Sequence, residues 1–209
     1  MTQAIDKMDS AESITGSTSV TSCNADIGEV HGYFTATCTD VDGNVLWTED
    51  FANTVVQGGK QLLLDTTLAG SGYTTVGPYM GLISSVSYGG APVYGDTMAS
   101  HANWTEADST NAPAYTLGTT SGGGAYRGTT AWSASTVSVG TATKALSAGQ
   151  SFYFTNSGTV NGIFIVTGTG AVSTWQSTTG TLYSAGAFGT PQPVVATNTL
   201  TVSYSTSIA

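Results

Sequence analysis

The chain has 209 residues, 40% of them hydrophobic, which supplies apolar material for one sizeable core and argues against a disordered polypeptide. Only 8% are Asp, Glu, Lys or Arg, against roughly a quarter in ordinary soluble domains, so Ser, Thr and Gly must fill the surface. The formal net charge is −9 and the only basic residues are Lys7, Lys60, Arg127 and Lys144, which excludes a nucleic-acid partner, because phosphate binding rests on clustered Lys and Arg.

A sparsely charged surface points to one that is covered by partners or carried on an inert particle; a secreted β protein is the competing reading. Every acidic residue, from Asp6 to Asp108, precedes residue 109. The early half is therefore expected either to meet a basic partner or to present a solvated acidic face, and the late half to form a neutral β framework.

Residues 1–26 are polar, with Ile5, Met8, Ile14 and Val20 too scattered for a core-facing helix or strand, and read as an extended N-terminal arm. The start, MTQAIDKMDSAESITGS, lacks the basic and apolar segments of a secretion signal, and no run is long enough to cross a bilayer. Synthesis in the cytoplasm and no membrane partner are expected. A β domain should occupy residues 27–209. Phe34, Ala36 and Cys38 alternate with Tyr33, Thr35 and Thr37, Asp40-Val41-Asp42-Gly43 supplies a turn, and Val45, Trp47 and Phe51 continue the pattern, so residues 30–52 predict a β-hairpin. Cys38 is expected to be a buried free thiol, and Cys23, Cys38, His31 and His101 lack the paired spacing of a zinc site, so no metal or cofactor is expected.

In NTVVQGGKQLLLDTTLAG, Asn53 or Thr54 can cap a helix, but Gly58 and Gly59 interrupt the pattern, leaving a short helix from about Gly59 to Leu68. The stretch DTMASHANWTEAD predicts a turn or single helical turn, and SGGGAYRG a flexible loop. TTAWSAS, SFYFTN, NGIFIVTG, TGTLYSA and LTVSYS then follow as short strands. This spacing predicts an all-β sandwich or jelly roll of at least seven strands with one or two short helices. Phe34, Trp47, Leu63, Phe154, Phe164, Leu200 and Val202 are the expected core.

Chemistry for catalysis is sparse. No G-x-S-x-G elbow presents a serine, and the glycine run at 122–124 is not a phosphate loop. Glu49 and Asp50 should point to opposite faces of a strand. Glu106 and Asp108 could share a face beside Trp104, which could serve as a sugar platform, so a glycan hydrolase or a non-catalytic glycan-binding module stays open. Arg127, the single arginine, has no acid in its own half of the chain. A guanidinium in neutral surroundings calls for a bidentate contact to Glu106 or Asp108, within the fold or on another subunit; a plain surface arginine is the alternative.

The order of GNVLWTEDFANTVVQGGKQLLLD, DTMASHANWTEA, AYRGTTAWSAS, NGIFIVTG and LYSAGAFGTPQPVVATNTLTVSYS resembles virion structural proteins of tailed bacteriophages, most of all capsid cement or decoration proteins. The resemblance runs from about residue 43 to the end. It implies a non-enzymatic protein on the capsid surface that binds the major capsid protein and neighbouring copies of itself, bridging and stabilising the shell. A tail- or fibre-associated structural protein is the alternative. Proteins of this kind supply no catalytic residues to transfer. Ile5, Met8, Ile14 and Val20 of the arm, with Trp104, Glu106, Asp108 and Arg127, are the candidate interface residues, the arm filling pockets on a neighbour or folding back on its own domain.

Overall fold

The structure, a computed structural model, describes residues 29–68, 76–124 and 126–208. The expectations for Ile5, Met8, Ile14, Val20 and Cys23 fall outside the described residues. Among the described residues the elements in chain order are β1 (Val30–Thr39), β2 (Val45–Val55), α1 (Gln57–Leu68), β3 (Tyr79–Ser84), β4 (Thr105–Glu106), β5 (Tyr115–Leu117), β6 (Gly128–Thr129), β7 (Thr136–Ser138), β8 (Thr141–Ala145), β9 (Gln150–Phe154), β10 (Gly158–Thr167), β11 (Thr181–Val194) and β12 (Thr199–Ile208). The all-β expectation holds, with one short helix.

All pairings are antiparallel, in one continuous sheet of two halves. In the first half β1 lies between β2 and β12, and the far edge of β12 is shared by β9 along residues 199–202 and by β8 along residues 205–208. β5 extends β9 and β7 extends β8. In the second half β10 lies between β11 and β3, whose outer edge takes β4 and β6. The halves join where Thr54 and Val55 of β2 meet Ala185 and Ser184 of β11.

Alternation of side chains across each strand determines what fills the space between the halves. Phe34, Ala36, Cys38, Phe51, Phe152, Phe154, Leu200 and Val202 from the first half share one core with Met80, Leu82, Val160, Ile163 and Ile165 from the second, which makes the arrangement sandwich-like. The opposite parity of the second half builds another core: Ile83, Phe164, Val166, Leu182 and Ala185 are roofed by Val56 and by Met98, Trp104 and Ala171 from connecting segments. β10 is thus buried on both faces, the reason NGIFIVTG reads as a nearly unbroken apolar run. Of the expected core residues, Phe34, Phe154, Phe164, Leu200 and Val202 are buried, whereas Trp47 and Leu63 are only partly covered, packing at the margin of the first core.

The hairpin of β1 and β2 forms where the turn chemistry places it. Gly43 takes φ 85°, and the Asp40 carboxylate accepts the N–H groups of Asp42 (2.9 Å) and Asn44 (2.8 Å). The helix departs from expectation. Asn53 and Thr54 belong to β2 and cap nothing; α1 begins at Gln57, and the preceding N–H groups of Val56 and Gln57 donate instead to the carbonyls of Tyr183 (3.2 Å) and Tyr94 (3.0 Å). Gly59, expected to interrupt the helix, is buried against β11, where a methyl group would collide with the Tyr183 carbonyl.

Helix propensity and close packing therefore make opposite forecasts for Gly59→Ala. Propensity alone would stabilise the protein by about 1 kcal/mol. The contact with β11 should instead destabilise it by about 1–3 kcal/mol, read from urea unfolding.

Candidate functional site

Arg127 is fully buried, at 0% exposure, beside Glu106 at 5%. β4 holds Glu106 opposite Ile83 of β3, and the chain entering β6 brings Arg127 beside it. Arg127 donates from Nε to Glu106 Oε1 at 2.7 Å and from a terminal nitrogen to Oε2 at 2.8 Å, the fork that a planar guanidinium makes with a carboxylate. Its remaining reach is spent on the carbonyls of Ser177 (2.9 Å) and Val172 (3.3 Å), and its carbon lies 5.3 Å from the centre of the Phe164 ring. The bidentate partner expected for Arg127 is thus Glu106, within the fold.

Gln176 completes the cluster. Its backbone N–H donates to Glu106 Oε2 at 2.6 Å while its side-chain amide donates to Asp108. Asp108 Oδ1 in turn accepts the N–H groups of Thr110 (2.6 Å) and Asn111 (2.7 Å). Gln176 adopts φ 57°, a conformation costly for a side-chain-bearing residue but one that aims both of its donors at the two acids. Burial raises the Glu106 carboxyl above its ordinary value, and the Arg127 guanidinium beside it acts against that rise.

Trp104 is buried rather than displayed as a sugar platform. Its indole N–H donates to Asp96 at 2.9 Å, His101 stacks on its ring at 3.9 Å between centres, and the His101 Nδ1 lies 2.8 Å from the Trp104 carbonyl. Asp96 and His101 thus hold a tryptophan between them. Trp104, Glu106, Asp108 and Arg127, the interface candidates, are all buried within the chain. A cavity of about 220 Å³ opens beside them, lined in part by Met98, His101, Asn111 and Thr178.

Glu49 and Asp50 do face opposite ways. Asp50 is exposed, and Glu49 turns inward to accept the Gly189 N–H at 3.0 Å. Cys38 is a buried free thiol, pushed up to about 11 by burial. Among the described residues no group of three His, Cys, Asp or Glu could hold a metal ion, and no helix is long and apolar enough to cross a membrane.

The accessible candidate is the outer face of the first half-sheet. Thr35, Thr37 and Thr39 of β1 point outward, flanked by Thr48 of β2 and by Thr201, Ser203 and Ser205 of β12, with Ser151 beyond them. The hydroxyls run in rows across the strands: Thr37 and Thr48 are 3.2 Å apart, and Ser151 and Thr201 3.0 Å. Asp50 is the carboxylate within this field, and Tyr33 stands exposed at its side. Comparison with protein families, with curated proteins and with solved structures finds no match to this chain.

Replacing Arg127 by Ala should lower stability by about 3–5 kcal/mol, because Glu106 is left charged and buried without its partner. That loss should shrink as pH falls. An unpaired buried carboxyl has a folded pKa above its unfolded value, so the penalty is complete above the folded pKa and vanishes below the unfolded value of about 4.3. Urea unfolding of both proteins across the acid range checks this; a loss below about 0.5 kcal/mol at neutral pH would mark Arg127 as a surface residue.

Proposed function

We propose that this chain is a non-enzymatic structural protein of a tailed-phage particle, a cement or decoration protein. It sits on the outside of the capsid, contacts the major capsid protein and neighbouring copies of itself, and stabilises the shell. The observation that carries this reading is the hydroxyl field on the outer face of the first half-sheet. A charged surface must shed tightly held water to form a contact, whereas threonine hydroxyls shed it at lower cost and can hydrogen-bond to backbone or side-chain groups of a partner. Threonine is also stiff about its first side-chain torsion, so the rows lose little freedom on binding.

Two further features support the reading. The resemblance of residues 43 onward to virion proteins agrees with a β framework whose late half carries no acid. The carboxylates of Glu106 and Asp108, the pair closest to a hydrolase arrangement, are committed to Arg127, Gln176 and backbone N–H groups. A carboxylate so engaged is a poor general base.

Protein ratios in purified particles test the assignment. A cement protein should be present in numbers comparable to the major capsid protein, and presence in a handful of copies would favour a tail or fibre position. The contact face is tested by Thr37→Lys combined with Ser203→Lys. Outward strand positions tolerate lysine within about 0.5 kcal/mol. The variant should melt like the parent yet bind stripped shells at least about tenfold more weakly. Full occupancy by the variant would remove this face from the contact.

A further inference from the structure

We infer that the tip of the β1–β2 hairpin anchors the proposed shell contact: Val41, Val45 and Leu46 seat in an apolar depression of the shell protein whose rim carries Lys or Arg side chains. The inference rests on the reading of this chain as a shell-binding protein and names the chemistry of the partner surface that reading requires.

Three apolar side chains stand in water at this tip. Val41 sits in the turn, whose form is already enforced by the Asp40 carboxylate and Gly43, and it is 73% exposed. Just beyond the turn the register of β1 with β2 slips. Cys38 pairs with Trp47 but Thr39 pairs with Val45, which leaves Leu46 as the extra residue of a β-bulge. A bulge sets two successive residues against one, and here both are apolar and open to solvent, Val45 at 62% and Leu46 at 50%. The next residue, Trp47, packs instead on Phe188 and donates its indole N–H to the Pro193 carbonyl (3.4 Å). The fold thus shelters one apolar residue of this stretch and leaves its neighbours out. Apolar side chains scattered singly on a surface need no explanation, but a group of them edged by acids marks a contact.

The group also continues the hydroxyl face. Thr39, opposite Val45, pairs on its other side with Thr199, and Thr199 pairs with Tyr153 of β9, so one row runs from the bulge to a tyrosine across the end of the half-sheet. A partner lying on the threonine rows therefore meets the tip at their edge. The rows supply breadth, and a few apolar side chains in a dry pocket supply most of the affinity.

Charge identifies the partner. Asp40 and Asp42 flank Val41, and among the described residues neither is in an ion pair. Asp40 is held below its ordinary value chiefly by the Asn44 side-chain amide, at 2.9 Å, and stays ionised. This chain is a poor source of the matching cations. Two copies with net charge −9 repel one another, and the exposed bases among the described residues, Lys60 on α1 and Lys144 on β8, stand singly on separate elements. Lys60 already lies over the Tyr94 ring, 5.6 Å from its centre. The cations that two unpaired carboxylates call for must come from a different protein.

Binding of the full chain to stripped shells over a salt series tests this. The parent's affinity should fall as salt rises from about 0.05 to 0.5 M. Asp42→Lys should melt like the parent, bind at least about tenfold more weakly at low salt and lose most of that salt dependence. Val45→Thr combined with Leu46→Thr keeps side chains suited to a strand while removing the anchor. It should also melt like the parent and bind at least about tenfold more weakly, but with the salt dependence retained. A photoreactive benzophenone side chain placed at Val41 should cross-link to shell-protein peptides that contain Lys or Arg. Parent-strength binding by either variant, or cross-links to a second copy of this chain, would overturn the inference and leave the proposed function standing. A parent that binds no shell would overturn both.

Discussion

A guanidinium taken out of water must find acceptors for nearly all of its donors, and in this protein that requirement ties together three distant stretches of chain. Arg127 reaches Glu106 on β4 and the carbonyls of Val172 and Ser177 in the segment between β10 and β11. Its own N–H donates to Ser173 at 2.7 Å. These segments roof the second core, where Trp104, Met98 and Ala171 cover Phe164 and Val166. Even the strand beneath is shaped by the cluster: a methyl group at Gly81 would strike the Phe164 ring on which Arg127 rests, and would crowd Glu106. Without the pair, the roof would hold a bare carboxylate over an apolar floor.

Four charged residues, Asp96, Glu106, Asp108 and Arg127, are thus buried around the second core, while the outside of the first half-sheet is lined mostly by hydroxyls. The two faces of that half-sheet illustrate the division. Inward, Phe34, Ala36 and Cys38 enter the core; outward, the intervening threonines line up with hydroxyls of β2, β12 and β9. A sandwich with one hydroxyl-lined, preorganised face suits contact with other protein surfaces better than transformation of a small substrate, and on this the functional proposal stands.

Much of the architecture was legible from local chemistry. The Asp40–Gly43 turn and the alternation on either side placed the first hairpin, and LTVSYS, read as a strand, lies in β12. Arg127 could be marked as needing an acid because composition left none near it in sequence. Gln176 could not: it sits in a Ser/Thr-rich loop, and its role comes from a left-handed backbone conformation that no residue type there announces. The helix start was misplaced because Val56 and Gln57 are satisfied by tertiary carbonyls rather than by a capping side chain. β11 runs past the expected TGTLYSA through Pro191 and Pro193 to Val194, which is possible because only β10 flanks that end of the strand. Trp104 and its acids were read as surface candidates because a polar stretch gives no sign that a loop folds over a second core.

Hydrogen exchange on the unmodified protein most directly tests the claim that Arg127 and Glu106 fasten the roof to the sheet. The N–H groups of Gln176 and Arg127, both in connecting segments, should exchange about as slowly as those of β10 at Ile163 and Ile165, because all would open only with the fold itself. Rapid exchange at Gln176 and Arg127 while β10 stays protected would contradict the account, showing a roof that lifts freely from a sandwich that does not need it.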